Sequence, residues 1–459
     1  MSTPSLLLLL LGLLVVGYQV GLHRSRGVGR SASSRRLHSR PQYHAVVVAL
    51  WAAGPALALL VAWQLLAPGV IENALVDQLQ ELRPALTEQE QRVALRRIGN
   101  LATDKGLVMD VQDWERTAAD ALRAMHETSR WLLTGLTATL VALGLLFSLS
   151  RINPSLRARN QVEKVVQAVL MISSGVAILT TIGIVLSMVG ETLRFFTFIP
   201  PLDFFLGTTW QPVFHVTETS GYGDYGMLPL LGGTVLVAII ALMFAIPVGL
   251  MAAIYLAEYA PRQVRNVAKP TLEVLAGIPT IVYGVFALMT VGPVLAALGD
   301  GVGLDIRATS ALTAGLVMGI MLIPFISSLS DDIITQVPKS LRDGSLGLGA
   351  TRSETIRKVV LPAALPGIAG AVLLAASRAV GETMIVVLAA GNAPVLTANP
   401  FEAVSTMTVT IVNQLTGDSD FAGPQSLVAF ALGLTLFVIT LVMNIVALVI
   451  VRRYREQYE

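Results

Sequence analysis

Three observations predict an all-α polytopic membrane protein with about nine transmembrane helices. Of 459 residues, 54% are hydrophobic and only 14% are charged, against about 25% charged in a soluble domain. Mean hydropathy is +0.69. The apolar residues fall in long continuous runs rather than in alternation, which favours helices over a barrel. The basic residues gather in short segments between every second pair of runs. At this length the balance excludes a soluble globular chain and a disordered one.

Each run is long enough for a helix to cross a bilayer, which takes roughly 20 residues. The runs are 4–22, 43–67, 131–149, 165–190, 228–256, 271–298, 309–329, 363–390 and 427–451. The first has no basic residue before its apolar stretch and no small-residue cleavage site near its end, so it reads as a retained span rather than a signal peptide. Orientation follows from lysine and arginine. Loop 23–42 carries Arg24, Arg26, Arg30, Arg35, Arg36 and Arg40 and no acid. Segments 150–164, 257–270, 330–362 and the C-terminus are also basic, whereas 391–426 holds Glu402, Asp418 and Asp420 and no basic residue. Nine spans then place the N-terminus outside and the C-terminus in the cytoplasm, as in a multi-pass protein of a bacterial inner (plasma) membrane.

Four regions are expected. Residues 1–67 form two helices with a basic cytoplasmic loop. Residues 68–130 form an external helical segment, either a solvated spacer with salt-bridged faces or a docking surface. Residues 131–164 give a third helix and a cytoplasmic linker, and 165–455 a six-span core. Cysteine is absent, and His23, His38, His44, His126 and His215 are scattered. No metal, thiol or catalytic constellation is therefore expected. The net charge of +2 and the short juxtamembrane basic clusters give no support to nucleic-acid binding. No cofactor is implied.

The most informative stretch is Ser340–Pro362, SLRDGSLGLGATRSETIRKVVLP, between the seventh and eighth spans. It reads as a short helix, a glycine break at Gly349, a charged second helix, and Leu361-Pro362 entering a span. Asp343, Gly344 and Ser345 offer small side chains to which another surface can approach. Gly349 can take φ > 0 and reverse the chain, and Pro362 suits a first helical turn, where no N–H is needed. The plainer reading is a helical hairpin in a cytoplasmic loop.

This stretch resembles the EAA loop of ABC-importer permeases: Glu-Ala-Ala, three residues, Gly, nine residues, Ile, one residue, Leu-Pro. Here Asp343-Gly344-Ser345, Gly349, Val359, Leu361 and Pro362 hold those spacings, with Asp for Glu and Gly-Ser for the two alanines. Leu272-Glu273 through Gly277-Ile-Pro279 to Tyr283-Gly284 is similar to phosphate permeases of the PstC and PstA type. So is Ser377-Arg378-Ala-Val-Gly381-Glu382-Thr383-Met384. The Gly-Glu-Thr-Met continuation is more similar to PstC. The resemblance covers about 165–455 and implies an ABC-importer permease core with a coupling loop at 338–362. It further implies a PstA-like second permease, two ATP-binding-cassette subunits, a periplasmic phosphate-binding protein and a surrounding lipid membrane. Coupling would fall to Asp343, Gly344, Ser345, Gly349, Leu361 and Pro362, and the substrate pathway to Arg378, Glu382, Thr383 and Glu273.

A charge at the bilayer centre costs about 2.5–3.5 kcal/mol on insertion scales. Arg378 and Glu382, four apart in the eighth span, are expected on one helix face as a pair. Two readings stand: a structural ion pair, or an arginine fork offered to a passing oxyanion and kept from trapping it by Glu382. Glu273, expected to start the sixth span, reads as a gate contact or as a helix N-terminal acid. Gly277-Ile-Pro279 and Tyr283-Gly284 read as kinks or as backbone freed toward the pathway. Asp331 and Asp332 are expected to end the seventh span facing water.

Thr219-Ser-Gly-Tyr-Gly-Asp224 looks like a potassium-channel filter, but Pro212 and the mixed run 214–218 leave no pore helix before it, and the letters suit a turn. No G-x-x-x-x-G-K-[ST] occurs, so ATP hydrolysis would belong to separate subunits. Phosphate import is the leading reading. Import of molybdate, tungstate or sulfate, and a sensor or scaffold using the external segment, are the alternatives.

Overall fold

The computed structural model describes residues 3–31, 37–82, 88–103, 111–212, 223–417 and 423–455. Among them, nine helices are long and apolar enough to cross a membrane, as the sequence predicts. The chain forms two compact units, Met1–Ile178 and Leu179–Glu459.

The first unit holds α1 (Thr3–Ser31), α2 (Pro41–Leu82), α3 (Glu88–Thr103), α4 (Asp113–Ser150) and the start of α5 (Ala158–Phe195). α2 packs against both α1 and α4. Small residues set the crossings, as expected where no water drives helices together. A Cβ on Gly144 of α4 would overlap the Trp51 carbonyl of α2, and one on Gly21 of α1 would lie 2.9 Å from Val48. Leu10, Ala56, Leu60, Leu133 and Val141 form the buried seam. The far end of α2, α3 and the start of α4 build a small bundle around Leu75, Leu79, Ile98, Ala118 and Leu122. Arg97 pairs with the buried Glu115 at 3.0 Å.

The second unit continues with α6 (Pro201–Leu206), β1 (Trp210–Pro212), β2 (Gly223–Tyr225), α7 (Leu228–Ile254), α8 (Arg262–Ala276), α9 (Thr280–Phe286) and α10 (Gly292–Val302). After these come α11 (Ala311–Gln336), α12 (Lys339–Gly347), α13 (Arg352–Thr355), α14 (Leu361–Val380), α15 (Met384–Ala389), α16 (Met407–Gly417) and α17 (Pro424–Arg455). α11 is the central helix, packed along α7 and touching α8, α9, α14 and α15. Gly249, Gly315 and Gly319 allow α7 and α11 to approach closely: added Cβ atoms would fall 3.0 Å or less from Ile326, Ile240 and the Ala241 carbonyl. Phe195, Phe204, Trp210 and Tyr225 pack edge-on beside the β1–β2 hairpin.

That hairpin contains the end of the filter-like motif. Gly223 and Asp224 pair antiparallel with Pro212 and Gln211. Residues 219–222 and the run 214–218 lie outside the described residues, as do Asp418 and Asp420.

Two spans differ from expectation. The apolar pattern places the sixth over 271–298. Instead α8 ends at Ala276 and the span runs Thr280–Val302. Pro279 has no N–H and disfavours a helical Ile278, so the helix breaks there. The same pattern places the eighth over 363–390. Instead helix runs from Arg352 to Val380, and a non-helical Gly381–Thr383 separates it from α15.

Three π-helical turns interrupt the unit, at Tyr255–Tyr259, Ala287–Val291 and Ile356–Val360. Each is followed two residues later by a proline: Pro261, Pro293 and Pro362. Within a helix a proline ring clashes with the carbonyl four residues back, and the wider turn moves that carbonyl away before Pro293 and Pro362, whereas Pro261 follows the extended Ala260 and leads into α8. Pro362 therefore does not open a fresh helix, as the sequence suggests, but follows a π turn within one continuous helical run.

Candidate translocation and coupling sites

The expected pair Arg378 and Glu382 is not an ion pair. α14 ends at Val380, so Glu382 falls in the break and the four-residue helical spacing no longer brings the side chains together. Arg378 is exposed, its Cζ 5.8 Å from the centroid of the Phe325 ring on α11, a cation–π arrangement. The Glu382 carboxylate accepts a hydrogen bond from the Met384 backbone N–H at 3.1 Å, at the head of α15. The Glu382 carbonyl accepts from Thr408 Oγ1 at 2.8 Å. Thr383 Oγ1 donates to the Gly381 carbonyl at 3.4 Å. Glu382 and Thr383 thus define the break.

Beside the break lies a hydroxyl cluster that sequence reasoning missed. Ser405, Thr406, Thr408 and Thr410 are all buried at the start of α16. Thr406 and Thr408 hydroxyls lie 3.0 Å apart, and Ser405 and Thr410 hydroxyls 3.2 Å. Ser405 also donates to Asn392 Oδ1 at 3.2 Å, and Thr234 of α7 accepts the Met407 N–H at 3.0 Å. A helix that starts inside the protein must find partners for its first N–H groups; Thr234 accepts that of Met407 and Thr406 Oγ1 that of Val409, while the other hydroxyls bond one another and nearby carbonyls. The signal in the sequence is the alternation Ser405, Thr406, Thr408, Thr410 within an apolar stretch.

Glu273 does not start a span. It is exposed on α8, before the break at Gly277–Pro279. The Leu275 carbonyl near that break accepts the Tyr283 hydroxyl at 3.0 Å. Gly284 is no kink: a Cβ there would lie 2.9 Å from the Met384 carbonyl, so it admits α15 against α9.

On the segment between α11 and α14, α12 carries Asp343 and Gly344, both exposed, and no residue of α12 is buried. Gly349 has φ +87°, the left-handed value that favours glycine. Leu348 beside it is 92% exposed. Ser345 and Thr355 hydroxyls lie 2.9 Å apart and tie α12 to α13. Thr351 and Glu354 form a reciprocal capping box on α13. Leu361 packs with Ala253, Ile334 and Val360, while Pro362 is exposed.

Two buried acids make the charged contacts here: Glu258 ties α12 to α7, and Asp331 ties α11 to α8. Arg342 Nη1 of α12 lies 2.7 Å from Glu258 Oε1 in the π turn that ends α7. Its Nη2 donates to the Ile334 carbonyl of α11 at 2.6 Å. Arg352 donates to the Glu258 carbonyl and lies over the Tyr259 ring. Asp331, expected to face water, is 1% exposed and pairs with Arg265 at 3.1 Å and Lys269 at 2.9 Å. Lys269 also reaches the exposed Asp332 at 2.8 Å. Hydrogen bonds to Asp332 and then Asp331 hold the Lys269 ammonium above the usual lysine range. Nothing in the apolar pattern announces this clamp, because that pattern leaves Arg265 and Lys269 in a loop and gives only the last residues of α8 to the sixth span.

Residues 6–180 match the family described as phosphate ATP-binding cassette transporter. Residues 245–456 match the family described as binding-protein-dependent transport system inner membrane component. The probable ABC transporter permease protein YqgH of Bacillus subtilis is 35% identical over 276 residues, 60% of this chain and 84% of that one. The phosphate transport system permease protein PstC of Mesorhizobium japonicum is 36% identical, over 53% of this chain and 76% of that one. PstC 1 of Mycobacterium tuberculosis is 36% identical over 55% and 82%.

Proposed function

The chain belongs to the PstC-type family of ABC-transporter permeases, and on that premise we propose that it forms half of the transmembrane pathway of an ATP-driven phosphate importer. The observation that carries this reading is the segment between α11 and α14. α12 presents Asp343 and Gly344 outward, with the bare Leu348 at its end, while Arg342 joins it to the end of α7. A push on that surface reaches two spans through a charged contact and a backbone carbonyl.

The chain has no nucleotide-binding motif of its own. In this reading two ATP-binding-cassette subunits dock at 338–362 and a PstA-like permease completes the pathway. A periplasmic phosphate-binding protein delivers the anion. The N-terminus faces outward and the C-terminus the cytoplasm. ATP-driven closure moves α12, and the spans alternate access about a weak site. Arg378, outside any ion pair among the described residues, supplies a guanidinium to the oxyanion. Glu382 and Thr383 shape the break beside it, and Glu273 lies toward the cytoplasmic exit. No covalent intermediate forms.

The test is uptake of labelled phosphate under phosphate limitation in cells lacking the gene, with and without its restoration, with unlabelled molybdate and sulfate as competitors. Restored uptake that only phosphate competes away is the expected result. No restoration from an assembled complex would overturn it in favour of another oxyanion or a sensor.

A further inference from the structure

The first unit contains a polar cavity unconnected with the segments above. It has a volume of about 510 Å³ and is lined by His38, Ser39, Arg40, Tyr43, Arg159 and Glu163. The turn before α2 and the turn before α5 meet there. The His38 N–H donates to the Pro154 carbonyl at 2.9 Å, and the Arg159 N–H donates to Ser39 Oγ at 3.3 Å across 120 residues of sequence. Ser39 is 7% exposed, with His38 Nδ1 3.4 Å from its oxygen. The cavity is therefore built by the fold, with a buried hydroxyl at its floor.

Its charge is positive. Arg159 is paired with Glu163 at 2.6 Å, so that acid is already committed. Arg40 is exposed and makes no side-chain hydrogen bond or ion pair among the described residues, so its guanidinium is open to a ligand. The first turns of α2 and α5 both abut the cavity, adding the positive ends of two helices. Hydroxyl donors come from Ser39 and Tyr43. One unpaired arginine, a second arginine, a histidine and two hydroxyls around one cavity are the donor set of an oxyanion site. The volume exceeds that of a bare oxyanion and admits an ester substituent.

We propose that this cavity binds a phosphate-type oxyanion, separately from the translocation pathway. The same chemistry has two sources. One is free inorganic phosphate. The other is the phosphodiester headgroup of an anionic phospholipid, since the cavity lies where the apolar runs of α2 and α5 begin and basic pockets at that level collect such headgroups.

The test uses the full chain in lipid nanodiscs, with Arg40→Gln and the double variant Arg40→Gln/Arg159→Gln. In one arm the discs are phosphatidylcholine alone, and binding of labelled inorganic phosphate is measured by equilibrium dialysis in an Arg378→Ala background. In the other arm, spin-labelled phosphatidylglycerol is compared with spin-labelled phosphatidylcholine for association with the protein. Each basic residue contributes roughly fivefold, so the single variant loses about fivefold and the double about 25-fold, in the phosphate arm or the lipid arm. The arm that responds identifies the source. Among the described residues Arg40 supports no other side chain, so Arg40→Gln is expected to leave the fold intact. Unchanged binding in both arms, with both variants folded, overturns the proposal.

Discussion

Arg342 and Glu258 meet at 2.7 Å across 84 residues of sequence, joining the exposed α12 to the π turn that ends α7. Glu258 is only 9% exposed, so it depends on Arg342 for its counter-charge. Arg342→Ala leaves that carboxylate without its partner, at a cost of about 3–5 kcal/mol. Arg342→Lys restores the charge but not the fork that also reaches the Ile334 carbonyl. Phosphate uptake by assembled complexes is expected to rank wild type, then Lys, then Ala. Equal uptake for Ala and wild type would show that motion does not pass through this contact.

Leu348, with nearly its whole surface open, gains little from packing within the chain. Leu348→Asp is expected to change thermal stability of the isolated chain by no more than about 0.5 kcal/mol, as for other surface substitutions. It is also expected to abolish co-purification of the ATPase subunits. A lowered melting temperature with ATPase binding retained would reverse the assignment.

Arg378 and Glu382 separate in the same kind of experiment. Arg378→Ala removes a side chain that lies over the Phe325 ring, so complexes are expected to assemble while uptake falls. Glu382→Gln keeps an oxygen for the Met384 N–H and assembles normally. Glu382→Ala loses that bond and costs about 0.5–2 kcal/mol, as for other helix caps. Melting temperatures of the three variants check the order.

The Lys269 clamp sets a pH dependence. Its folded-state pKa lies above the ordinary value of 10.5. The stability it adds is therefore fully present below that value and is lost as pH rises through the higher folded one. Melting temperature should fall more steeply in strong alkali for wild type than for Lys269→Arg, which stays charged. Across neutral pH the two should run parallel.

Gly349→Ala introduces no clash, since a Cβ there meets nothing within 4 Å, but it must hold φ +87°. The expected cost is about 1–2 kcal/mol, read as a lower melting temperature or as a reoriented α12 with weaker ATPase docking.

The number of spans and the reversal at Gly349 were legible, because continuous apolar runs and a glycine between two charged helices each allow few structures. The pairing of Arg378 with Glu382 was misread for one local reason. Four-residue spacing has meaning only inside an unbroken helix, and the one sign of the end is Gly381, the C-cap of α14, a weak sign where glycine is common within membrane helices. Asp331 was misread for the opposite reason. Its partners Arg265 and Lys269 lie 66 and 62 residues away, on a helix whose boundary depends on Pro279. The hydroxyls at 405–410 were visible as letters, but their purpose appears only once α16 is seen to begin inside the protein.

The three proline-linked π turns carry a mechanical consequence. Each stores one residue more than an α-helical path needs. Passing that surplus one position along the helix turns the intervening side chain by about 100° without breaking the span. The turns at Tyr255–Tyr259 and Ile356–Val360 adjoin the Glu258, Arg342 and Arg352 contacts. On the proposed coupling, a displacement of α12 reaches points where a span can twist as well as tilt, and the turn at Ile356–Val360 is one that its helix continues through, past Pro362.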